Sequence, residues 1–222
     1  MPQKEDKNMS KFNKYAKELE SITFEAVKKL KEAEEKERQT KEALDRHPEK
    51  KGFVDLAYDI EYQRRKLAHD EATENLRIIR ASVPNELSKA TKEIRSRLKA
   101  DADYYFAVDP KQLQPEVMSF LESGMLNVND YTKLMKVAIS DNNVTMIRMI
   151  ADRAKKAADT VGNDRDRLSL LAISDEASLY TTESYLAAFD SIASVSETCM
   201  HNTRVADHWN TDLGINKVVE AF

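Results

Sequence analysis

A single cysteine, Cys199, serves the whole 222-residue chain, so no internal disulfide can form. The fold cannot rest on oxidation, and a reducing compartment suits it. Glycine is scarce: four residues, at 52, 124, 162 and 214, stand far apart. Isolated glycines cannot build the clustered loop that wraps a phosphate, so a nucleotide-binding loop is excluded. The opening MPQKEDKNMSKF lacks the apolar stretch of a signal peptide, and no apolar run reaches the ~18 residues needed to span a bilayer. Synthesis and residence in a cytoplasm are the expectation, without a membrane partner. Alternating β-branched residues are missing as well, which leaves no strand pattern.

Charge is plentiful at 33% of residues, yet it nearly cancels to −4. Residues 1–100 carry 24 Lys and Arg against 20 Asp and Glu, whereas residues 101–222 carry 11 against 19. Such asymmetry can steer association, including with copies of the same chain. The N-terminal bases alternate with acids instead of forming a patch, so nucleic acid is not an expected partner.

What remains is helix. From Ser10 to about Arg46 there is neither Gly nor Pro, and Phe12, Tyr15, Leu19, Ile22 and Ala26 recur every three or four residues. Past Leu30 the stripe thins to Ala33, Thr40, Ala43 and Leu44. The polar EAEEKERQTKEA segment can lean on pairs such as Glu32–Lys36 and Glu37–Lys41, each worth roughly 0.2–0.5 kcal/mol. His47–Gly52 breaks the pattern, which resumes at Phe53 with Leu56, Ile60, Leu67 and Ile78 on a related face. Two long helices joined by a short turn fold back as an antiparallel, coiled-coil-like hairpin. Ala81–Pro84 reads as a second break, with Pro84 opening a helix that carries Leu87, Ile94 and Leu98 to Tyr104-Tyr105-Phe106.

After Val108 the chain is punctuated. Asp109-Pro110 and Gln114-Pro115 are expected to open helices, Gly124 to stop one, and Asn129 to cap the next. Asn142 or Asn143 caps a further helix whose Val144, Ile147, Ile150, Ala151 and Ala154 form one apolar face. From Asp164 to Trp209, Leu168, Leu171, Ala172, Leu179, Leu186, Phe189, Ile192 and Val195 fall at helical intervals. The fold class is therefore all-α: a long-helix hairpin over 1–108 and a bundle of shorter helices over 109–222.

No catalytic, cofactor-binding or metal-binding residue is assigned, and no cofactor is expected. Cys199, His201, Asp207 and His208 lie close together and carry ligand-type side chains. His201 and His208 lie two helical turns apart, whereas histidines sharing an ion on a helix sit four apart. Cys199 between Thr198 and Met200 reads as a small packing residue and not as a nucleophile. Met118, Met125, Met135, Met146 and Met149 read first as core filler, and second as an adaptable contact surface. Tyr104-Tyr105-Phe106 reads as an anchor between the hairpin and the second region.

The segment FLESGMLNVNDYTKLMKVAISDNNVTMIRMIADRA, about a sixth of the chain, resembles uncharacterised helical proteins encoded in the head-gene regions of bacteriophages and prophages of Gram-positive bacteria. A short helix ending in a Gly-hydrophobic turn (SGML), a capped helix, and an Asn-containing break (DNNVTMIRMI) carry the likeness. The resemblance implies no site residues. It implies a virion or assembly role, with synthesis in the host cytoplasm and other virion proteins as partners. The acidic C-terminal half departs from the basic capsid-binding helix of scaffolding proteins and argues against that narrower assignment. The functional expectation is a non-enzymatic structural or assembly protein that self-associates through helices, most simply as a homo-oligomer. The alternative is a cellular coiled-coil adaptor or regulator.

Overall fold

The absence of strand signals is matched by the backbone: the computed structural model describes residues 12–48 and 55–209, and these contain helices and turns without a strand. Helix α1 covers Asn13–Asp45 and α2 covers Leu56–Tyr105. Five shorter helices come after them: α3 Pro115–Ser123, α4 Val128–Ser140, α5 Val144–Ala158, α6 Asp164–Glu176 and α7 Thr182–His201. Single 3₁₀ turns lie at Pro110–Gln112 and Ala177–Leu179, and a longer one at Thr203–His208. The long-helix hairpin and the set of shorter helices are both present. The expected turn residues Glu49–Gly52 and the resumption at Phe53 lie outside the described residues, as does the tail beyond Trp209.

Two compact units divide the chain. Among the described residues, one takes 95–190 with 12–14, the other 15–94 with 191–209. The units interleave along the sequence, whereas composition suggests a cut at 108/109, because α1, α2 and α7 each contribute residues to both.

In the unit holding Tyr15–Ile94, α1 and α2 run antiparallel. Glu34 meets Arg80 at 2.9 Å, Thr40 lies 3.4 Å from His69, and the Ala43 carbonyl accepts from Arg65 at 2.8 Å. Partner numbers on α2 fall as those on α1 rise, which defines the direction. Leu30 and Ala26 pack with Val83, flanked by Ile79 and Met200. On α1 the expected Ile22 is only half-buried, and Thr23 is buried in its place with its hydroxyl donating to the Leu19 carbonyl at 2.7 Å. That local bond satisfies the hydroxyl and lets a polar residue sit in the seam. The surface ion pairs also differ from those expected: Glu32 pairs with Lys28, and Arg38 bridges Glu35 and Glu42.

Pro84 does not open a helix; it lies inside α2. An interior proline removes one backbone donor and crowds the preceding turn. Two features hold α2 together through it. Val83 and Leu87 are buried on either side, and the Asn85 side chain donates to the Ala81 carbonyl at 2.8 Å.

In the other unit, α4, α5 and α6 build the core around Met135, Met146, Ile147, Ile150, Ala154 and Leu170. Gly124 ends α3 in the left-handed conformation (φ 68°), as a C-terminal stop requires. The cap of α4 is Asn127, not Asn129. Its Oδ1 accepts from the Asn129 and Asp130 amides, while Asp130 accepts in return from the Asn127 amide. This reciprocal box uses Asp in the place usually taken by Glu or Gln. Asp109-Pro110 opens only a 3₁₀ turn, since Pro115 starts α3 a few residues on. On α6 the inward residues are Leu170 and Ile173; Leu168 and Leu179 are exposed, contrary to the periodicity reading. Phe12, Tyr105, Phe106 and Tyr185 meet as an aromatic cluster, Phe12 lying 5.0 Å from Tyr185 and 5.7 Å from Tyr105 by ring centroids. Tyr104, by contrast, projects outward.

Candidate functional site

The polar run Asp141-Asn142-Asn143 turns the chain from α4 into α5. Asn142 takes the left-handed conformation (φ 58°), which asparagine tolerates better than other side chains. Asn143 Oδ1 accepts from the Met146 amide at 2.9 Å, and its Nδ2 donates to the Gln112 carbonyl at 2.8 Å. Thr145 is buried beside it, with Oγ1 accepting from the Asp109 amide at 3.0 Å. These bonds cap α5 and pin the 109–112 turn against its first residues.

A cleft of about 380 Å³ opens next to this clamp, lined by Tyr104, Val108, Asp109, Gln112 and Asn142 among others. In it Asp109 Oδ1 accepts from the Lys111 amide, and the Gln112 side-chain oxygen accepts from Thr145 Oγ1 at 3.3 Å. No acid and base converge there among the described residues. The clamp is structural in its chemistry, and Val144, Ile147, Ile150 and Ala154 behind it are core.

The Cys199 region disperses. Cys199 is fully buried on α7, and burial pushes its thiol up, away from the reactive thiolate. His201 is exposed at the end of α7, on a shallow hollow of about 290 Å³ that also holds Leu30, Glu34, Arg80 and Met200. Asp207 is engaged by Lys31 at 2.5 Å, whose ammonium holds the carboxyl below its ordinary range. Among the described residues, no three His, Cys, Asp or Glu side chains gather as a metal site would need. The methionines divide: Met135 and Met146 are core, Met118 packs against it, and Met125 is exposed.

What the sequence misassigned is a face. Periodicity places Leu56, Ile60, Leu67 and Ile78 along the inside of the hairpin, but their exposures are 71, 61, 60 and 52%. At roughly 100° per residue the four fall within a sector of about 40° on α2. Directly opposite lie Tyr58, Arg65 and His69, all half-buried, with buried Ala72 and Leu76. Arg65 and His69 make the contacts to α1 described above. The first part of α2 thus carries two faces, and the more apolar one points to solvent. In the other unit Phe120, Met125, Leu168 and Leu179 are also exposed. A row of aligned aliphatic side chains on one helix is the kind of surface that other helices cover. The signal was in the sequence, as a second periodicity offset by half a turn from the Tyr58–Leu76 one. No described helix is long and apolar enough to cross a membrane.

Compared with protein-family models, curated proteins and solved structures, the chain has no match among them.

Proposed function

We propose that the chain is a non-enzymatic structural or assembly protein, associating with copies of itself and with other proteins through helix faces. Its proposed setting is the head or virion assembly of a bacteriophage. The observation that carries the first part is the exposed row Leu56–Ile60–Leu67–Ile78, since isolated aliphatic side chains are common on surfaces but an aligned row is not. Supporting it, the candidate chemical groups are spread apart: Cys199 is buried, and Asp207 is engaged by Lys31. The phage setting rests on the resemblance of residues 120–154. Within that segment SGML and DNN correspond to the left-handed stop at Gly124 and to the left-handed Asn142 with its neighbouring cap.

Two measurements test this. Sedimentation equilibrium of the full chain over a concentration series is expected to show a reversible oligomer; a single 25.4 kDa species throughout would remove the self-association. Mapping the gene's neighbours, together with mass spectrometry of purified particles, tests the setting. Capsid, portal or terminase genes alongside are expected. Their absence, with no copy of the chain in particles, would turn the assignment to a cellular coiled-coil adaptor.

A further inference from the structure

Charges border the exposed row on α2, and their order along the helix is informative. With the row taken as the front of the helix, Lys66 and Asp70 fall along one edge and Arg64 and Glu71 along the other. Among the described residues, no ion pair joins Lys66, Asp70 or Glu71 to another side chain. Glu74 lies on the row itself and is held by Arg77 at 2.6 Å. Along one edge the order is therefore Asp59, Lys66, Asp70 and Arg77, and along the other Arg64 and then Glu71.

That order distinguishes the ways in which a second copy could lie on the row. If two copies lie parallel and in register, Glu74 faces itself and opposite edges meet, setting Asp70 against Glu71 and Lys66 against Arg64 of the second copy, so like charges repel along the seam. If the second copy runs antiparallel about a twofold axis between Leu67 and Ala68, equal edges meet. Lys66 then comes opposite Asp70 of the second copy, and Arg64 opposite Glu71. In the same register Leu56 lies opposite Ile78, to within one residue, and Leu67 lies opposite its own counterpart. One alignment thus brings opposite charges together along both edges and sets Leu56 against Ile78 and Leu67 against Leu67, while Ile60 meets Glu74–Asn75 of the second copy; each charged pair recurs twice because the interface is isologous.

We infer that two copies of this chain pair antiparallel through the outer face of α2, from Leu56 to Ile78, about a twofold axis at Leu67–Ala68. The inference rests on the self-association proposed above and specifies its surface and direction. The contact runs about 33 Å along the helix at 1.5 Å per residue. Four aliphatic side chains from each copy make a small interface, so the dimer is weak and forms reversibly with concentration. Unlike the inner face of the hairpin, this one is occupied only when a second chain is present.

The test uses the full chain in sedimentation velocity over a wide concentration range, at low and moderate salt. Wild type is expected to dimerise reversibly. Leu67→Glu is expected to raise the dissociation constant about a hundredfold or more, because two buried leucines are lost per dimer. Lys66→Glu and Asp70→Lys are each expected to weaken the dimer by roughly five- to tenfold, since each reversal acts twice. Combining the two reversals restores wild-type affinity only if these residues face one another, as the antiparallel register requires. All four side chains lie on the exposed face, so helicity and the thermal midpoint are expected to stay unchanged; should Leu67→Glu lose helicity, Ile60→Ser is read in its place. A wild-type monomer at every concentration overturns this inference and the proposed self-association together. An oligomer indifferent to Leu67→Glu and Ile60→Ser overturns the inference alone, leaving self-association through another face. A dimer lost with Leu67→Glu but not restored by the double reversal overturns the antiparallel register.

Discussion

The outer half of the α1–α2 hairpin and the α4–α5–α6 core are both helical, and they are held by different means. Ala33 is the last buried residue on α1, and Ala72 the first on α2. Beyond them the described hairpin buries no side chain fully. Its contacts are polar or between rings: Thr40 with His69, Arg65 with the Ala43 carbonyl, Arg38 with Glu35 and Glu42, and His47 with Tyr58 at 4.4 Å between ring centroids. In the core, helices of 13 and 15 residues surround fully buried Met135, Ile147 and Ala154. Helices that short are marginal alone in water, so packing must hold them. A 50-residue helix such as α2 can persist on cooperative propagation and local ion pairs over a stretch where packing is thin. Helicity therefore says little about where the stability lies.

The strongest way to break that contrast is to truncate the core. Ile147→Ala or Ile150→Ala is expected to cost on the order of 2–5 kcal/mol in denaturant melts, since both are fully buried. A cost below that of a surface change would mean that this face of α5 is not core. The next effect concerns the cap. Asn143→Ala loses the bonds to the Met146 amide and the Gln112 carbonyl, and is expected to cost about 0.5–2 kcal/mol. Asn142→Gly should be nearly silent, because glycine accepts the left-handed backbone that Asn142 occupies. Equal losses from the two variants would show that the cap has been assigned to the wrong residue.

Smaller again is truncation in the hairpin's outer half. Leu44→Ala, at a half-buried position, is expected to cost less than about 1 kcal/mol. A loss matching Ile147→Ala would erase the difference between the regions. The gentlest perturbation is pH. Hydrogen bonds from Arg38, Arg65 and Arg77 hold Glu35, Glu61 and Glu74 below the ordinary carboxylate range. A carboxylate with a depressed folded pKa stabilises above its unfolded value, near 4.3, and that contribution is lost as pH falls through the folded value. Hydrogen exchange corrected for intrinsic rates should thus quicken in the outer hairpin as pH falls below about 4. Exchange that slows over the same fall in pH would contradict the sign.

Much of the fold was legible because it is governed by near neighbours. The runs without Gly or Pro became α1 and the continuation of α2, Gly124 stopped α3, and Asn143 capped α5. The misreadings share a cause. Local rules favour Asn129 over Asn127 because the reciprocal bond to Asp130 falls outside the usual Glu or Gln pattern. They make Pro84 a helix start because its intrinsic cost is large, while the compensation comes from Val83, Leu87 and Asn85 in place. Leu168 and Leu56 fit helical spacing as well as their buried neighbours do, so spacing alone could not choose between faces.

By itself, the sequence determined that the chain is helical and where most helices begin and end. Those properties follow from backbone sterics, capping and residue identity, which act over a few positions. Only the tertiary structure decided which side of α2 faces α1, that Pro84 is carried through a continuous helix, and that Leu56, Ile60, Leu67 and Ile78 face outward. Such choices depend on which surfaces meet between residues far apart in the chain. On a helix with two apolar periodicities, the Tyr58–Leu76 face is the inner one because its Arg65 and His69 reach α1 at Ala43 and Thr40.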